Sequence, residues 1–386
     1  MNPAIYALAL ASFAIGTTEF VIMGLLPEVA TDLNVSLVQA GWLITGYALG
    51  VALGAPSLTL MGRYWPRKRL LIGLMCLFIA GNLWAAWVND YTQLMLARVL
   101  ASLAHGSFFG VGSVLAARLV PPEKQAQAVA VMFTGLTLAN ILGVPAGTWM
   151  GQLWGWHSTF ASVAALGVMT LLMLMWLLPE QARETPTPLK QELAVLARLP
   201  LLRALACTVL SFGGVFTLFT YISPYLQSVS SVPTAWMGAY LLLFGIGSTL
   251  GNILGGRWAD RSLRNSLLFW VWGMVLVLAL MPFLATEPFS AAIAMLMWGL
   301  FGFAIVPALQ MQVLQLAREA PQLSASLNIS AFNIGNALGA WIGGLVLPLG
   351  FPAVAWAAAA VTALGGVLLL WPTPPNPNVA PATQKA

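Results

Sequence analysis

Apolar residues fill this chain in long runs, not in the two-residue alternation of half-buried strands, and polar residues gather in the short stretches between. Twelve runs reach the roughly 20 residues that a helix needs to cross a bilayer core. They lie near Ala4 to Leu26, Leu37 to Leu60, Leu70 to Val88, Thr92 to Ala117, Ala126 to Gly151, Ser158 to Leu178, Leu201 to Leu226, Thr234 to Trp258, Asn265 to Leu284, Phe289 to Gln315, Leu323 to Leu347 and Ala353 to Trp371. The first has no basic region before it and no small-residue cleavage site, so it reads as a retained helix and not a signal peptide. The longest polar connection, from Pro179 to Pro200, divides the spans six and six. The pattern therefore predicts an all-α membrane protein in two pseudo-symmetric six-helix bundles. Residues 1–178 form the first bundle, 179–200 a central loop, 201–371 the second bundle and 372–386 a disordered tail.

The two halves read as copies. "YALGVALG" from Tyr47 returns as "FGIGSTLG" from Phe244, and "ANILGVPAG" from Ala139 returns as "GNALGAWIG" from Gly335, offsets of 197 and 196 residues. Two unrelated strings sharing nearly one offset indicate duplication, and repeats in a polytopic membrane protein point to a transporter that rocks its halves about a midplane site.

Composition agrees: 60% of residues are hydrophobic and 7% charged, against roughly a quarter charged in a soluble domain. Charge adds orientation. Every Lys and Arg except Arg98 falls in, or at a helix end beside, the connections that share a side with the termini; the opposite connections hold none and carry Glu28, Asp32, Asp90 and Glu287. The positive-inside rule then places both termini in the cytoplasm. The same distribution removes nucleic acid as a reason for the net charge of +5. Cys76 and Cys207 stand alone in separate spans, and there is no HExxH, GxSxG or Walker loop, so the chain reads as neither an enzyme nor an ATP-driven pump. No cofactor or metal is expected.

Three features carry chemistry. Glu19, in "AIGTTEFVIMGLLPEV", lies eight residues before Pro27, and Arg98 lies eight past Asp90. At 1.5 Å per residue both backbones sit about 12 Å inside the same boundary. Ionisable groups at that depth face the bundle interior and pair, which predicts a Glu19–Arg98 pair across the cavity. The second half holds Phe216 or Thr217 opposite Glu19 in the repeat, and Met295 or Trp298 opposite Arg98, so the charge chemistry belongs to the first half. Arg98, Ser102, His105, Phe109 and Gly112 share a helix face, which makes His105 a second titratable candidate. In span five Gly135, Ala139, Gly143, Gly147 and Gly151 recur every four residues around Pro145, a smooth stripe for close helix approach. After span eight, Asp260 can accept hydrogen bonds from a neighbouring helix N-terminus and exchange arginine partners as the bundles rock.

These strings resemble the major facilitator superfamily, and within it the twelve-span drug:proton antiporters. "GGRWADRSLRNSLL" is similar to the signature loop, with Asp260, Arg261 and Arg264 in place, while "LMGRYWPRKRLL" keeps Arg63, Arg67 and Arg69 but has Gly62 where the family has an aspartate. "GLTLANILGVPAGTWMG", with Gly143, Pro145 and Gly147, resembles the antiporter motif of exporters, and "ARVLASLAHGSFFGVG" the span-four motif associated with proton coupling. "TTEFVIMGLLPEVA" and "HGSFFGVG" are similar to the branch that holds arabinose-efflux-type, sugar, purine-nucleoside and chloramphenicol exporters.

The resemblance implies alternating access driven by the proton gradient, in a bacterial inner membrane, by a chain that functions as a monomer. Glu19, Arg98 and His105 are the proton-coupling candidates; Asn140, Phe109, Phe216, Phe332 and Asn336 the substrate-binding ones, with Phe212, Phe219 and Asn328 beside them; and Arg63, Arg67, Asp260, Arg261, Arg264, Gly143, Pro145 and Gly147 the gating ones. The expected partners are an uncharged, partly polar small molecule, protons and lipid. A sugar or nucleoside importer of the same fold and a non-transporting membrane sensor are the alternatives.

Overall fold

The computed structural model describes residues 2–121, 125–180, 198–317 and 321–371, without the side chains of 63, 125–127, 130 and 321–323. Twelve helices among the described residues are long and apolar enough to span a membrane. We number them α1 (Pro3–Gly24), α2 (Leu37–Met61), α3 (Arg67–Ala85), α4 (Tyr91–Arg118), α5 (Gln125–Leu138, a π-helical turn Ala139–Gly143, then Val144–Trp154) and α6 (Trp156–Leu177). The second set is α7 (Leu199–Phe219), α8 (Met237–Arg261), α9 (Leu263–Leu284), α10 (Pro288–Leu316), α11 (Pro321–Val346) and α12 (Phe351–Leu370). Most of the expected central loop, 181–197, and the tail 372–386 lie outside the described residues.

Local sequence sets the helix ends. Asn2 caps α1, whose first residue is proline; Ser36 and Gln39 form a reciprocal capping box on α2; Asp90 caps α4. Gly155 (φ 83°) joins α5 to α6 and Gly350 (φ 99°) leads into α12, equivalent corners in the two halves that need a left-handed backbone. Spans one and seven are not continuous as far as Leu26 and Leu226: each breaks, at Leu25 and at Thr220 to Tyr221, and a short helix follows, Leu26–Asp32 and Ile222–Val229. Pro27 and Pro224 explain this, since a proline has no N–H to give and its ring clashes with the carbonyl four residues back.

Close packing inside each bundle runs on glycine. In α2, Gly46, Gly50 and Gly54 lie against Met95, Val99 and Leu103 of α4; in α8, Gly247, Gly251 and Gly255 lie against Leu296, Leu300 and Ala304 of α10. The repeat offset is 197 on both sides of the seam, so Met295, not Trp298, is the counterpart of Arg98. A second pair of seams joins α1 to α5 and α7 to α11: Gly135 and Gly143 meet Ala9 and Thr17, and Gly339 and Gly343 meet Gly213 and Thr217. In a bilayer, where lipid is as apolar as leucine, such backbone-level contact supplies much of the association.

Between bundles, α2 packs on α11 and α5 on α8. We call the face where α1 begins and α12 ends the near face. At the far face Trp149 Nε1 donates to Ala235 O (3.1 Å), Gly24 abuts Leu241, and Gly344 approaches Val38. Nearer the middle Ser330 Oγ donates to Ala52 O (3.0 Å). The α5–α8 contact is extensive along Ala139–Gly143 and Val144–Trp154 and slight along Gln125–Leu138. The two bundles are thus closed at the far face and part along α5 and α8 toward the near one.

Candidate functional site

A string of buried polar side chains crosses the molecule at mid-depth. Tyr47 Oη on α2 is 3.3 Å from His105 Nδ1 on α4, and His105 Nε2 is 3.8 Å from Glu19 Oε2 on α1. From the other bundle, Asn336 Nδ2 on α11 donates to Glu19 Oε1 at 3.5 Å. The His–Glu distance suits an ion pair when the ring is protonated and is too long for a direct hydrogen bond. All four residues are under a tenth exposed. Phe109, buried on α4, closes one side, with its ring 5.1 Å from that of His105.

The expected Glu19–Arg98 pair is not formed. Arg98 Nε donates instead to Leu43 O (3.2 Å) and Nη1 to Thr18 O (3.3 Å), while the guanidinium lies 4.8 Å from the centre of the Tyr47 ring. The backbones are level, but helical side chains lean toward their own N-terminus. Helix α1 runs from the near to the far face and α4 the opposite way, so Glu19 leans toward the near face and Arg98 toward the far one. His105, seven residues or roughly 10 Å further along α4, leans back up to meet Glu19. Equal backbone depth therefore does not bring these two side chains together.

Opposite this string the second bundle presents rings. Phe212 touches Phe216, Phe303 and Phe332, with centroids 5.4, 5.8 and 4.9 Å away; Phe216 reaches Phe20 on α1 and Phe219; and Phe219 stacks on Phe244 beside Trp298. Trp298 Nε1 is fully buried without an acceptor among the described residues.

The other candidates divide clearly. Asn140 sits in the π-turn of α5, buried, and donates to Leu136 O of its own helix (3.3 Å). Asn328 is committed to packing, accepting from Thr208 Oγ1 (2.9 Å) and donating to Gln310 Oε1 (2.7 Å), so it does not face the cavity as expected. Gly143 and Gly147 meet Thr17 and Val21 of α1, and Pro145 is buried beside them. The partner of this stripe is therefore in its own bundle. The approach of the other bundle is made by Gly245 of α8, which lies against the Asn140 backbone carbonyl.

Asp260, Arg261 and Arg264 are exposed at the near face, and among the described residues Asp260 makes no hydrogen bond or ion pair. Arg67 is half-buried at the start of α3, and the side chain of Arg63 lies outside the described residues. Two participants escaped the sequence reading. Tyr47 stood inside the quoted repeat string, and Asn82, which accepts from Thr18 Oγ1, is a lone amide in an apolar span. A polar side chain that deep was the available signal.

A family model described as Major Facilitator Superfamily matches residues 8–331. The chain is 50% identical over 350 residues to the inner membrane transport protein YdhP of Escherichia coli (strain K12), covering 91% of this chain and 90% of that one. It is 33% identical over 371 residues to a probable sugar efflux transporter of Mannheimia succiniciproducens, covering 95% and 92%. Among solved structures, a D-xylose-proton symporter superposes with a TM-score of 0.78 over 95% of this chain and 96% of that one, at 16% identity, which speaks for the fold alone.

Proposed function

The chain belongs to the Major Facilitator Superfamily, a multi-pass inner-membrane transporter and not an enzyme, and within that family we propose that it exports small organic molecules, such as sugars or drugs of arabinose- or chloramphenicol-like size, in exchange for protons. The observation that carries this reading is the Tyr47–His105–Glu19–Asn336 string: a carboxylate and an imidazole buried at mid-depth, joined to the opposite bundle by one amide. Ionisable groups are costly there and are kept where a charge must be loaded and unloaded. The likeness to a relative named for sugar efflux supports the outward direction.

In this cycle Glu19 takes a proton from the far side while the cavity is open to it. The bundles then rock to the conformation described above, closed at the far face. Glu19 gives up the proton toward the near side, and substrate takes its place among Asn140, Asn336, Phe109, Phe216 and Phe332. Arg98, fixed by two backbone carbonyls and a ring, holds a positive field beside the carboxylate and does not itself move. The near face, with its arginines, is the cytoplasmic one.

Transport into inverted membrane vesicles tests the direction and the energy source. With an acid interior imposed, one member of a panel of sugars, nucleosides and antibiotics accumulates, and a protonophore abolishes it. Accumulation that needs ATP and no gradient overturns the proposal. Orientation has its own test. Cysteines placed by Asn89→Cys and Glu287→Cys react with an impermeant thiol reagent outside intact cells, whereas Thr185→Cys does not; the reverse pattern would invert the topology and the direction with it.

A further inference from the structure

Asn336 has an unfilled half. Its Nδ2 donates to Glu19 Oε1, but its Oδ1 is buried without a partner among the described residues, and the residue as a whole is 3% exposed. An amide oxygen can only accept, so it needs a donor, and leaving it without one costs free energy. An ionised Glu19 has none to offer and repels Oδ1. A protonated Glu19 carries one O–H beside the same amide. The acid and the amide can then pair twice, N–H to one carboxyl oxygen and carboxyl O–H to Oδ1.

We propose that Asn336 is the residue through which the second bundle reads the protonation of Glu19. Proton on, the acid–amide pair ties α1 to α11 with two hydrogen bonds. Proton off, the carboxyl O–H is gone while Nδ2 keeps its bond to the carboxylate, so it is Oδ1 that is vacated and free to accept from a donor group of the substrate. One amide serving two claimants gives exchange its mutual exclusion. This rests on the reading of Glu19 as the proton carrier. The other titratable groups around Glu19 are Arg98 and His105 on α4 and Tyr47 on α2; α5 and α11 contain none, α7 brings only Arg203 and Cys207 nearer the near face, and Tyr240, Arg257, Asp260 and Arg261 lie toward the two ends of α8. Helix α6 carries only His157 at its far-face start, α3 carries Arg67, Lys68 and Arg69 at its near-face start and the exposed Cys76, and the short helix Ile222–Val229 carries only Tyr225 toward the far face. The signal therefore reaches the second bundle through a neutral side chain.

The test needs no substrate. In a chain carrying Cys76→Ser and Cys207→Ala, spin labels on Leu153→Cys and Leu349→Cys, exposed at the far-face ends of opposite bundles, report the bundle separation in lipid nanodiscs by pulsed electron resonance. Infrared difference spectra follow the carboxyl C=O band that Glu19→Gln removes. In the parent, the distance distribution shifts with pH in step with that band. In Asn336→Leu the band still titrates and the distance no longer follows it. Asn336→Ser, too short to bridge, does the same and stands in if the leucine variant fails to insert. A merely structural asparagine would change the distances at every pH and leave their pH response intact; that result, or a parent with no pH response, overturns the inference while the export reading stands on its vesicle test. If Glu19→Gln keeps the full pH response, Glu19 is not the carrier, and the inference falls together with that role, while export is still decided by the vesicle test.

Discussion

Glu19→Gln protein inserts, binds substrate and exchanges it across the membrane, yet concentrates nothing. Glutamine keeps the shape of the protonated acid and a donor for the Asn336 side, but it cannot release a proton. Each proton exchanged is worth about tenfold in substrate ratio per pH unit, since one pH unit is about 1.4 kcal/mol. Reconstituted parent protein under a gradient of one unit should therefore reach a ratio of about ten or more, and the variant should settle at one, with counterflow of labelled against unlabelled substrate preserved. If the variant accumulates as the parent does, Glu19 is a structural hydrogen bonder to Asn336, and His105 becomes the residue to replace next.

Gly245→Ala should change the balance of states and Gly247→Ala the stability of the fold, although the two positions are two residues apart on α8. A Cβ on Gly245 would press on the Asn140 carbonyl of the other bundle; one on Gly247 would press on the Leu296 carbonyl of its own. Overpacking of this kind costs about 1–3 kcal/mol. At Gly245 that cost falls only on the conformation closed at the far face, so the population moves toward the open one by about fivefold to 150-fold. At Gly247 it falls on both conformations equally and leaves their ratio alone. Labelling of a far-face cavity cysteine measures the first, and the melting temperature in detergent measures the second. Equal effects at the two sites on both readouts would remove the distinction between seams within and between bundles.

The twelve spans were legible because a bilayer demands about 20 apolar residues in a row, and the duplication because "YALGVALG" and "ANILGVPAG" return at nearly one offset. The breaks at Leu25 and Tyr221 were readable in principle from Pro27 and Pro224, but a proline in an apolar run marks either a kink or a full stop, and hydropathy does not say which. In the site, the sequence located Glu19, Arg98 and His105 and mispaired them, because depth is a property of backbones and contact a property of side-chain direction. Asn336 and Asn328 illustrate the remaining limit. They stand on one helix two turns apart, one bonded to the proton candidate and the other spent within its own bundle on Thr208 and Gln310. Nothing in the spacing separates them; only the positions of α1, α7 and α10 around α11 do.

Glycine seams fasten α1 to α5, α2 to α4, α7 to α11 and α8 to α10, all inside bundles, whereas between bundles α2 packs on α11 and α5 on α8 with backbone-level approach at Gly245 and single bonds such as Trp149 to Ala235 and Ser330 to Ala52. Backbone-level contact is therefore denser within the bundles than between them, which makes the joint the more yielding part. Deformation goes where resistance is least, so a bilayer that presses on this protein, by thickness or lateral tension, will turn the joint before it bends either body. The transporter is in that mechanical sense exposed to its membrane, and its balance of open and closed forms is one of the quantities that the surrounding lipid sets.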